Sequence, residues 1–579
     1  MQLARRLRLP AALCSVAVLA CALISRPFAK TGVCDDGPYI LVAQTLAKTG
    51  HILYNGWETP MLGAQLYLGA AFIKLFGFSF TAARMSTLLV AVVMAWVLQR
   101  TMVLAGVNER NATLGTLAFV LSPLYLMLSV TYMTDLTCLF GIVLCLYGCL
   151  RALQASTDRT TIAWLCFAVA ANVICGTARQ ISWLGILIMV PSVLFLFRSR
   201  RRILLAGVLA NLAGVLSAVV CELWFRRQPY TEPEHLVLHR GEEFNVLSSF
   251  FHTTLDLRFL LLPIVILFLP ELLRDIRRSI KVAAAASMAY ILILLVIHLR
   301  HAGIYPLLEP TLRDWVTRRD GFGGIYMEGK PPIVLHTGMR VLLTVASLGG
   351  LLGLCVSVLL PRPINSESGS PRTPSWKQLG VLLAPFTIAY TLLLVPRAAS
   401  TSTVDGRILD RYLLELLVPA LLCVLRYYQG QIHPRLPPAT FLLVTITAAY
   451  GVASTHDFFA TERACVKMAA TLRAAGVPDT QVSYGWEYDT VTEIRTAGHI
   501  NDPRILVPSH TYAPTPPLSA GTCVMYWHDE TPHIHPIYGT AFHPNICYGP
   551  APFAPVHYSR WLASTPGTLY VVRYLPTKA

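Results

Sequence analysis

Long apolar segments recur along most of this chain, and they constrain its fold more than any other feature. Runs of roughly 18 to 25 residues follow one another from near Pro10 to near Tyr450. A helix of about 20 apolar residues spans the hydrocarbon core of a bilayer. With 54% hydrophobic and 13% charged residues, the composition is that of a large membrane body with a smaller soluble part. The pattern predicts an α-helical polytopic membrane protein with about 13 transmembrane helices.

The predicted spans lie near residues 10–28, 80–104, 111–131, 135–153, 160–177, 181–197, 203–224, 256–273, 282–300, 337–360, 378–396, 409–427 and 438–455. The first run follows the basic sequence RRLR, so a cleaved signal peptide and a retained span both fit it. We interpret it as a retained span, because many further spans follow and no A-x-A cleavage site ends it.

The basic residues are distributed unevenly between the two sides of the membrane. The formal charge of +16 would suggest a nucleic-acid partner in a soluble protein. With a cytoplasmic N-terminus, however, about 20 of the 47 basic residues and only about five acids fall in the cytoplasmic loops. The excess therefore follows the positive-inside rule, and we expect no nucleic-acid partner.

The same rule decides an ambiguous apolar segment in the first outer loop, residues 29–79. The segment from Thr59 to Gly77 is opened by Thr-Pro and closed by Gly, as a helix would be. If it crossed the membrane, the basic run from Arg198 to Arg202 would face outward. We therefore expect a helix that lies in the outer interface.

Hydropathy falls after Thr455, and the remaining residues read as a separate unit. A helical stretch, residues 457–476, is followed by short strand-like runs, QVSYGWE, RILVP, TCVMYWH and TLYVVRYL, with Pro-rich turns between them. This predicts a transmembrane domain over residues 1–455 and a small extracytoplasmic α/β domain over residues 456–579. Cys523 and Cys547 in that domain could form a disulfide, and the sequence does not decide whether they do.

Three acids lie on the outer side of the membrane in this topology. Asp35 and Asp36 precede a helix, where acids interact favourably with the helix dipole. Paired carboxylates at the membrane edge could also take a proton from a hydroxyl or hold a divalent metal. Asp135 starts the fourth span, either as a helix cap or as a charge that faces a cavity.

Arginines also occur at the outer ends of spans, against the positive-inside bias. Arg179, Arg258 and Arg411 are the main examples, and Tyr412 follows the last of them. Each could simply extend to lipid headgroups. Guanidinium groups are also suited to binding a phosphate whose charge grows as it leaves.

These features together resemble the GT-C glycosyltransferases, in particular the bacterial branch near protein O-mannosyltransferases and lipid A aminoarabinose transferases. The resemblance is carried by DDGPY after the first span, LFGFSFTAARMST at the end of the first outer loop, YMTD opening a later span, DRYLLELLVPALL near the last span, and an outer C-terminal domain.

The resemblance implies a GT-C-like membrane fold and assigns residue roles. Asp35 matches the catalytic carboxylate, with Asp36 as its partner, and Tyr39 completes the motif. Asp135 matches an acid that helps to hold a divalent metal or the acceptor, so Asp35 and Asp135 are the candidate metal ligands. Arg411 and Tyr412 match a pair that contacts the lipid-phosphate donor. The cofactor itself stays unknown, with a divalent metal as an open alternative.

The expected activity is transfer of a sugar from a polyprenyl-phosphate donor to an acceptor hydroxyl on the extracytoplasmic face, by a single inverting displacement. The acceptor could be a protein, a lipid or a glycan, and the expected location is the inner or plasma membrane. Two alternatives remain open at this stage. One is a transporter of lipids or small solutes, and the other is a polysaccharide polymerase or ligase that uses a diphosphate-linked donor.

Overall fold

The computed structural model describes residues 9–231, 257–274, 276–300, 327, 334–360, 373–401, 410–500, 531–543 and 548–574. Its α-helices are α1 Leu9–Ile24, α2 Asp36–Thr49, α3 Gly63–Phe76, α4 Phe80–Leu104, α5 Glu109–Val120, α6 Pro123–Ser129, α7 Asp135–Gln154, α8 Asp158–Gly176, α9 Val190–Leu196, α10 Arg201–Phe225, α11 Leu262–Val265, α12 Glu271–Arg274, α13 Ile276–Arg300, α14 Thr337–Leu359, α15 Trp376–Thr401, α16 Leu414–Gln431, α17 Ala439–Ala474 and α18 Trp486–Ala497.

Within the described ranges, eight helices are long and apolar enough to cross a membrane, or nine if a bent pair counts as one span. The protein is therefore a multi-pass membrane protein, as the apolar runs predict. The spans match the sequence best at α4, α7, α8, α10, α14, α15, α16 and α17.

Several predicted spans are interrupted rather than continuous. The run at 111–131 divides into α5 and α6, which meet at 68°. Ser122 caps a new helix there and Pro123 starts it, because proline lacks the N–H that would continue the previous helix. The run at 256–273 likewise contains a short helical piece that begins near Pro263, whereas the run at 181–197 is helical throughout but changes from 3-10 through π to α geometry.

The segment that we expected to lie in the interface forms α3. Its 14 residues cover about 21 Å, which is short of the roughly 30 Å hydrocarbon core. The helix begins at Gly63, three residues after Pro60, where the sequence suggests its start, and it leaves Tyr67, Leu75 and Phe76 exposed. A helix of this length with apolar and aromatic side chains on its outside is consistent with an interfacial position.

A single helix, α17, links the membrane body to the C-terminal region. Its 36 residues extend about 54 Å, and no break occurs at residue 455, where the hydropathy falls. Its final turns bury Cys465, Met468 and Leu472 against the C-terminal sheet. The C-terminal region is thus built on an extension of α17.

Among the described residues, the C-terminal sheet has five short strands: β1 Val482–Ser483, β2 Tyr538–Ala541, β3 Tyr548–Pro550, β4 Val556–Tyr558 and β5 Gly567–Tyr574. The order is β1-β2-β5-β3, with β4 also pairing with β5, and only the β1–β2 pair is parallel. The sequence correctly predicts β5. It is wrong for QVSYGWE beyond Ser483, because α18 begins at Trp486. The runs RILVP and TCVMYWH, with Cys523 and Cys547, lie outside the described residues.

The first outer loop and the C-terminal domain pack directly against each other. The Ile500 N–H donates to the Asn55 carbonyl at 2.7 Å, and the ring of the neighbouring His499 stacks at 4.8 Å on Tyr230, which lies after α10. A Cβ at Gly56 would overlap the Ile500 carbonyl oxygen, so only glycine fits. This packing brings α18 to the start of α2, where the two acids lie.

Candidate functional site

The two adjacent acids at the start of α2 have different surroundings. Asp36 has no exposed surface, and Arg84 of α4 binds both of its carboxylate oxygens, at 2.7 and 2.9 Å. The backbone N–H groups of Val33 and Tyr132 donate to the same carboxylate at 2.7 and 3.0 Å. Asp36 therefore joins the first outer loop, α4 and the segment before α7 in one buried junction.

Asp35 occupies the N-cap position of α2, but its side chain makes no capping hydrogen bond. Its carboxylate instead accepts from the Arg411 guanidinium at 3.4 and 3.5 Å, and from the Trp486 indole N–H at 3.2 Å. The Asp35 side chain is 23% exposed, whereas Arg411 is 12% exposed. Of the two acids, Asp35 is thus the one that an incoming molecule can reach.

A second acid–arginine pair lies next to the first. Arg179, in the loop after α8, donates to Asp135 Oδ1 at 2.5 Å, and Asp135 is 1% exposed at the start of α7. The Arg179 guanidinium lies 4.6 Å from the centre of the Tyr412 ring, and the Arg411 guanidinium lies 5.4 Å from the same ring. The two cations therefore share one tyrosine, which fixes their spacing.

Polar groups beneath this pair hold the start of α16 in place. The Tyr390 hydroxyl lies 2.9 Å from a carboxylate oxygen of buried Glu415 and 2.8 Å from the Tyr412 carbonyl. The Cys138 thiol lies 3.4 Å from the other carboxylate oxygen of Glu415. These contacts orient the backbone that carries Arg411 and Tyr412.

Tyr39 lies one helical turn after Asp35 and is buried. Burial raises the pKa of its phenol well above the ordinary range, and the nearby carboxylates of Asp35 and Glu58 raise it further. The Tyr39 hydroxyl is therefore neutral at physiological pH and can donate a hydrogen bond near Asp35.

The structure brings Asp35, Asp135, Arg179, Arg411 and Tyr412 together from four separate parts of the chain. The contacts described for Arg258 are with other residues. It is buried against α14, where its Nε donates to Ser347 Oγ at 3.0 Å, and its guanidinium lies 4.5 Å from the centre of the Phe259 ring. Those contacts do not connect Arg258 with the two acid–arginine pairs.

Sequence reasoning missed two residues of this site. Arg84 is a charge inside a predicted span, which is a strong sign of a buried partner, although the sequence does not identify Asp36 as that partner. Trp486 belongs to a segment predicted as a strand, and nothing in the sequence places it beside Asp35.

A divalent metal would need several oxygen ligands around the two candidate residues, Asp35 and Asp135. Each of them is paired with an arginine guanidinium in this structure. Across the residues that the structure describes, no group of three or more His, Cys, Asp and Glu side chains is arranged to hold a metal ion. The metal assignment stays a prediction.

The backbone is strained directly before Asp35, and also at two positions in or against the first outer loop. Cys34, Leu62 and Tyr230 adopt φ values of 57°, 62° and 60°, in the left-handed region that non-glycine residues rarely occupy. Cys34 directly precedes Asp35, and Leu62 directly precedes α3. Such strain, which costs on the order of 1 to 3 kcal/mol per residue, persists where the surrounding structure enforces a particular geometry.

No protein-family model and no curated protein matches this chain. The solved structures that match include two of ArnT from Cupriavidus metallidurans. The apo structure is 14% identical, with 82% of this chain and 81% of that chain covered and a TM-score of 0.37. The structure bound to undecaprenyl phosphate is 13% identical, with 98% of each chain covered and a TM-score of 0.38.

A third matching structure is the archaeal oligosaccharyltransferase AglB from Archaeoglobus fulgidus, in complex with an inhibitory peptide and a dolichol-phosphate. It is 12% identical, with 90% of this chain and 64% of that chain covered, and it gives a TM-score of 0.35. All three TM-scores are low.

Proposed function

We propose that the protein is a membrane glycosyltransferase of the GT-C type, which transfers a sugar from a polyprenyl-phosphate donor to an acceptor hydroxyl on the extracytoplasmic face. The observation that carries this proposal is the pairing of one reachable carboxylate, Asp35, with two arginines that share the Tyr412 ring. The sequence resemblance supplies the donor class.

Asp35 is the proposed general base. Its carboxylate is partly exposed and is held by side-chain donors from two different elements, Arg411 and Trp486. A base must lie within hydrogen-bonding reach of the proton that it removes, and Asp35 can offer a carboxylate oxygen to a molecule at the site surface. Asp36 has a supporting role in this proposal, because Arg84 and two backbone N–H groups already occupy its carboxylate.

Arg411 and Arg179 are the proposed phosphate-binding groups. Each guanidinium is paired with an acid, and the shared Tyr412 ring keeps the two cations close together. Arginine presents several N–H donors in a planar arrangement that suits phosphate oxygens. When a donor phosphate binds, Arg411 can turn from Asp35 towards the phosphate and leave the carboxylate to the acceptor.

The proposed reaction is a single displacement at the anomeric carbon of the sugar. The acceptor oxygen forms a bond to that carbon while the bond from the carbon to the phosphate oxygen breaks, and the bonding electrons go to the phosphate. The hydroxyl proton passes to Asp35, and the arginines stabilise the charge on the departing polyprenyl phosphate. Attack opposite the leaving group inverts the anomeric configuration.

The decisive experiment measures release of polyprenyl phosphate by purified protein from a panel of polyprenyl-phosphate sugars and from matched diphosphate-linked donors, with and without EDTA. We expect turnover with a monophosphate donor only, and we expect Asp35→Asn to reduce it at least about 100-fold. Asp158→Asn is the matched control, because Asp158 also pairs with an arginine but lies 44% exposed and away from the site.

Full release of polyprenyl phosphate by Asp35→Asn would overturn the assignment of the base. Turnover of diphosphate donors alone would favour a polymerase or ligase. Solute uptake into vesicles, with no turnover of any donor, would favour a transporter. Loss of turnover on chelation would indicate a metal requirement.

A further inference from the structure

The C-terminal domain contributes one side chain directly to the acid–arginine site. Trp486, the first residue of α18, donates its indole N–H to Asp35 Oδ1 at 3.2 Å, while Arg411 faces Oδ2. Trp486 is only 2% exposed, and its ring packs on Trp57 with the ring centres 4.4 Å apart. The indole is therefore held by packing and does not depend on Asp35 for its position.

The approach of α18 to the start of α2 depends on two glycines. A Cβ at Gly32 would lie 2.6 Å from the Glu487 carbonyl oxygen, and a Cβ at Gly37 would lie 2.8 Å from a Val491 methyl group. The Thr31 hydroxyl donates to the same Glu487 carbonyl at 3.4 Å. The backbone on both sides is thus fitted closely enough to fix the distance between Trp486 and Asp35.

We propose that Trp486 is a positioning residue that holds the Asp35 carboxylate in the orientation needed to receive the acceptor proton. The C-terminal domain then completes the site instead of only covering it. This inference rests on the proposed function, in which Asp35 is the base. When Arg411 turns towards a donor phosphate, the indole N–H is the contact that keeps Asp35 from rotating with it.

The carboxylates around Asp35 are compatible with this role. Glu487 is buried beside it, and burial together with neighbouring Glu462 raises the Glu487 pKa well above its ordinary range. A raised pKa favours the neutral form of Glu487. The charge of Asp36 is balanced by Arg84, so little negative charge opposes the Asp35 carboxylate.

The test compares steady-state kinetics of full-length wild type, Trp486→Phe and Trp561→Phe. Phenylalanine at 486 keeps an aromatic ring against Trp57 but removes the N–H. Trp561→Phe is the matched control, because Trp561 lies in the same domain and stacks on His456 at 3.9 Å. We expect kcat of Trp486→Phe to fall about tenfold, with KM for the donor unchanged, whereas Trp561→Phe keeps both values.

If Trp486→Phe lowers the unfolding temperature, the residue is replaced by benzothienylalanine, which has the shape of indole but no N–H. Two results would overturn the positioning role of Trp486, provided that Asp35→Asn is inactive. One is an unchanged kcat in the folded Trp486 variant, and the other is a rise in its KM for the donor with no change in kcat. Full activity of Asp35→Asn would instead overturn the proposed function itself, so the two failures are distinguishable.

Discussion

At the scale of single residues, Asp36→Asn and Asp35→Asn should have different effects: the first should lower stability, and the second should lower turnover. Asp36 and Arg84 are both without exposed surface, and removal of one partner leaves the other charge buried and unpaired. We expect Asp36→Asn to lower the free energy of unfolding by about 3 to 5 kcal/mol, whereas Asp158→Asn lowers it by less than about 1 kcal/mol. Denaturant unfolding in detergent measures both variants.

The double variant Asp36→Asn/Arg84→Leu checks the cause of that loss. Removal of both charged groups should cost less than the sum of the two single substitutions, because neither charge is then left alone. Additive losses would show that the two side chains stabilise the protein independently.

Glu58 should make stability depend on pH. Burial raises the pKa of its carboxyl from 4.5 to about 8, although backbone N–H groups of the first outer loop donate to it. The folded protein holds this proton at pH values where the unfolded chain has released it, so the unfolded state binds fewer protons and stability falls as the pH rises. The loss should develop from about pH 4.5 to about pH 8.

Glu58→Gln keeps an acceptor for the Asn55 and Trp57 N–H groups but cannot ionise. Over that pH range, wild type should lose on the order of 5 kcal/mol of unfolding free energy relative to this variant. Unfolding curves at several pH values give the difference, and parallel pH profiles would contradict the assignment.

At the scale of elements, docking of the C-terminal domain depends on Gly56. Alanine there would drive a Cβ into the Ile500 carbonyl oxygen, at a φ of 96°. The control is Gly476→Ala, since Gly476 also has a positive φ, 84°, but among the described residues no atom lies within 4 Å of the place that a Cβ would take.

The control should lose about 1 to 2 kcal/mol of unfolding free energy from backbone strain alone. Gly56→Ala should lose a further 1 to 3 kcal/mol or so from overpacking, with faster proteolysis of the C-terminal domain. Equal proteolysis rates for the two variants would show that the domain does not depend on this contact.

Secondary structure near the site is only partly predictable. Val482 and the aromatic residues in QVSYGWE favour a strand, yet the strand stops at Ser483. Glu487 and Asp489 fall in the first turn of α18, where acids are favourable, so the sequence does contain a helix signal. The position of Trp486 against Trp57 is a tertiary contact between residues far apart in the chain, which local patterns do not encode.

At the scale of the whole molecule, hydropathy and charge predict the multi-pass architecture because membrane spans are defined by length and composition. The same patterns do not reveal where a span breaks, as between α5 and α6. They predict that Asp35, Asp135, Arg179 and Arg411 share one side of the membrane. Which of these side chains pair with one another follows from packing, so only the structure reveals it.

The side of the membrane that carries the site is testable with reporter fusions. The positive-inside rule places the basic loop around Ser199 in the cytoplasm and Gly476, after α17, outside. Alkaline phosphatase is active only outside the cytoplasm, so a fusion after Gly476 should be at least about tenfold more active than one after Ser199. A green fluorescent protein fused at the same two positions should give the opposite order and serves as the control for expression. High phosphatase activity after Ser199 would invert the topology and place the acid–arginine site on the cytoplasmic face. Nucleotide sugars are present on that face, so the argument from location for a polyprenyl-phosphate donor would then be lost.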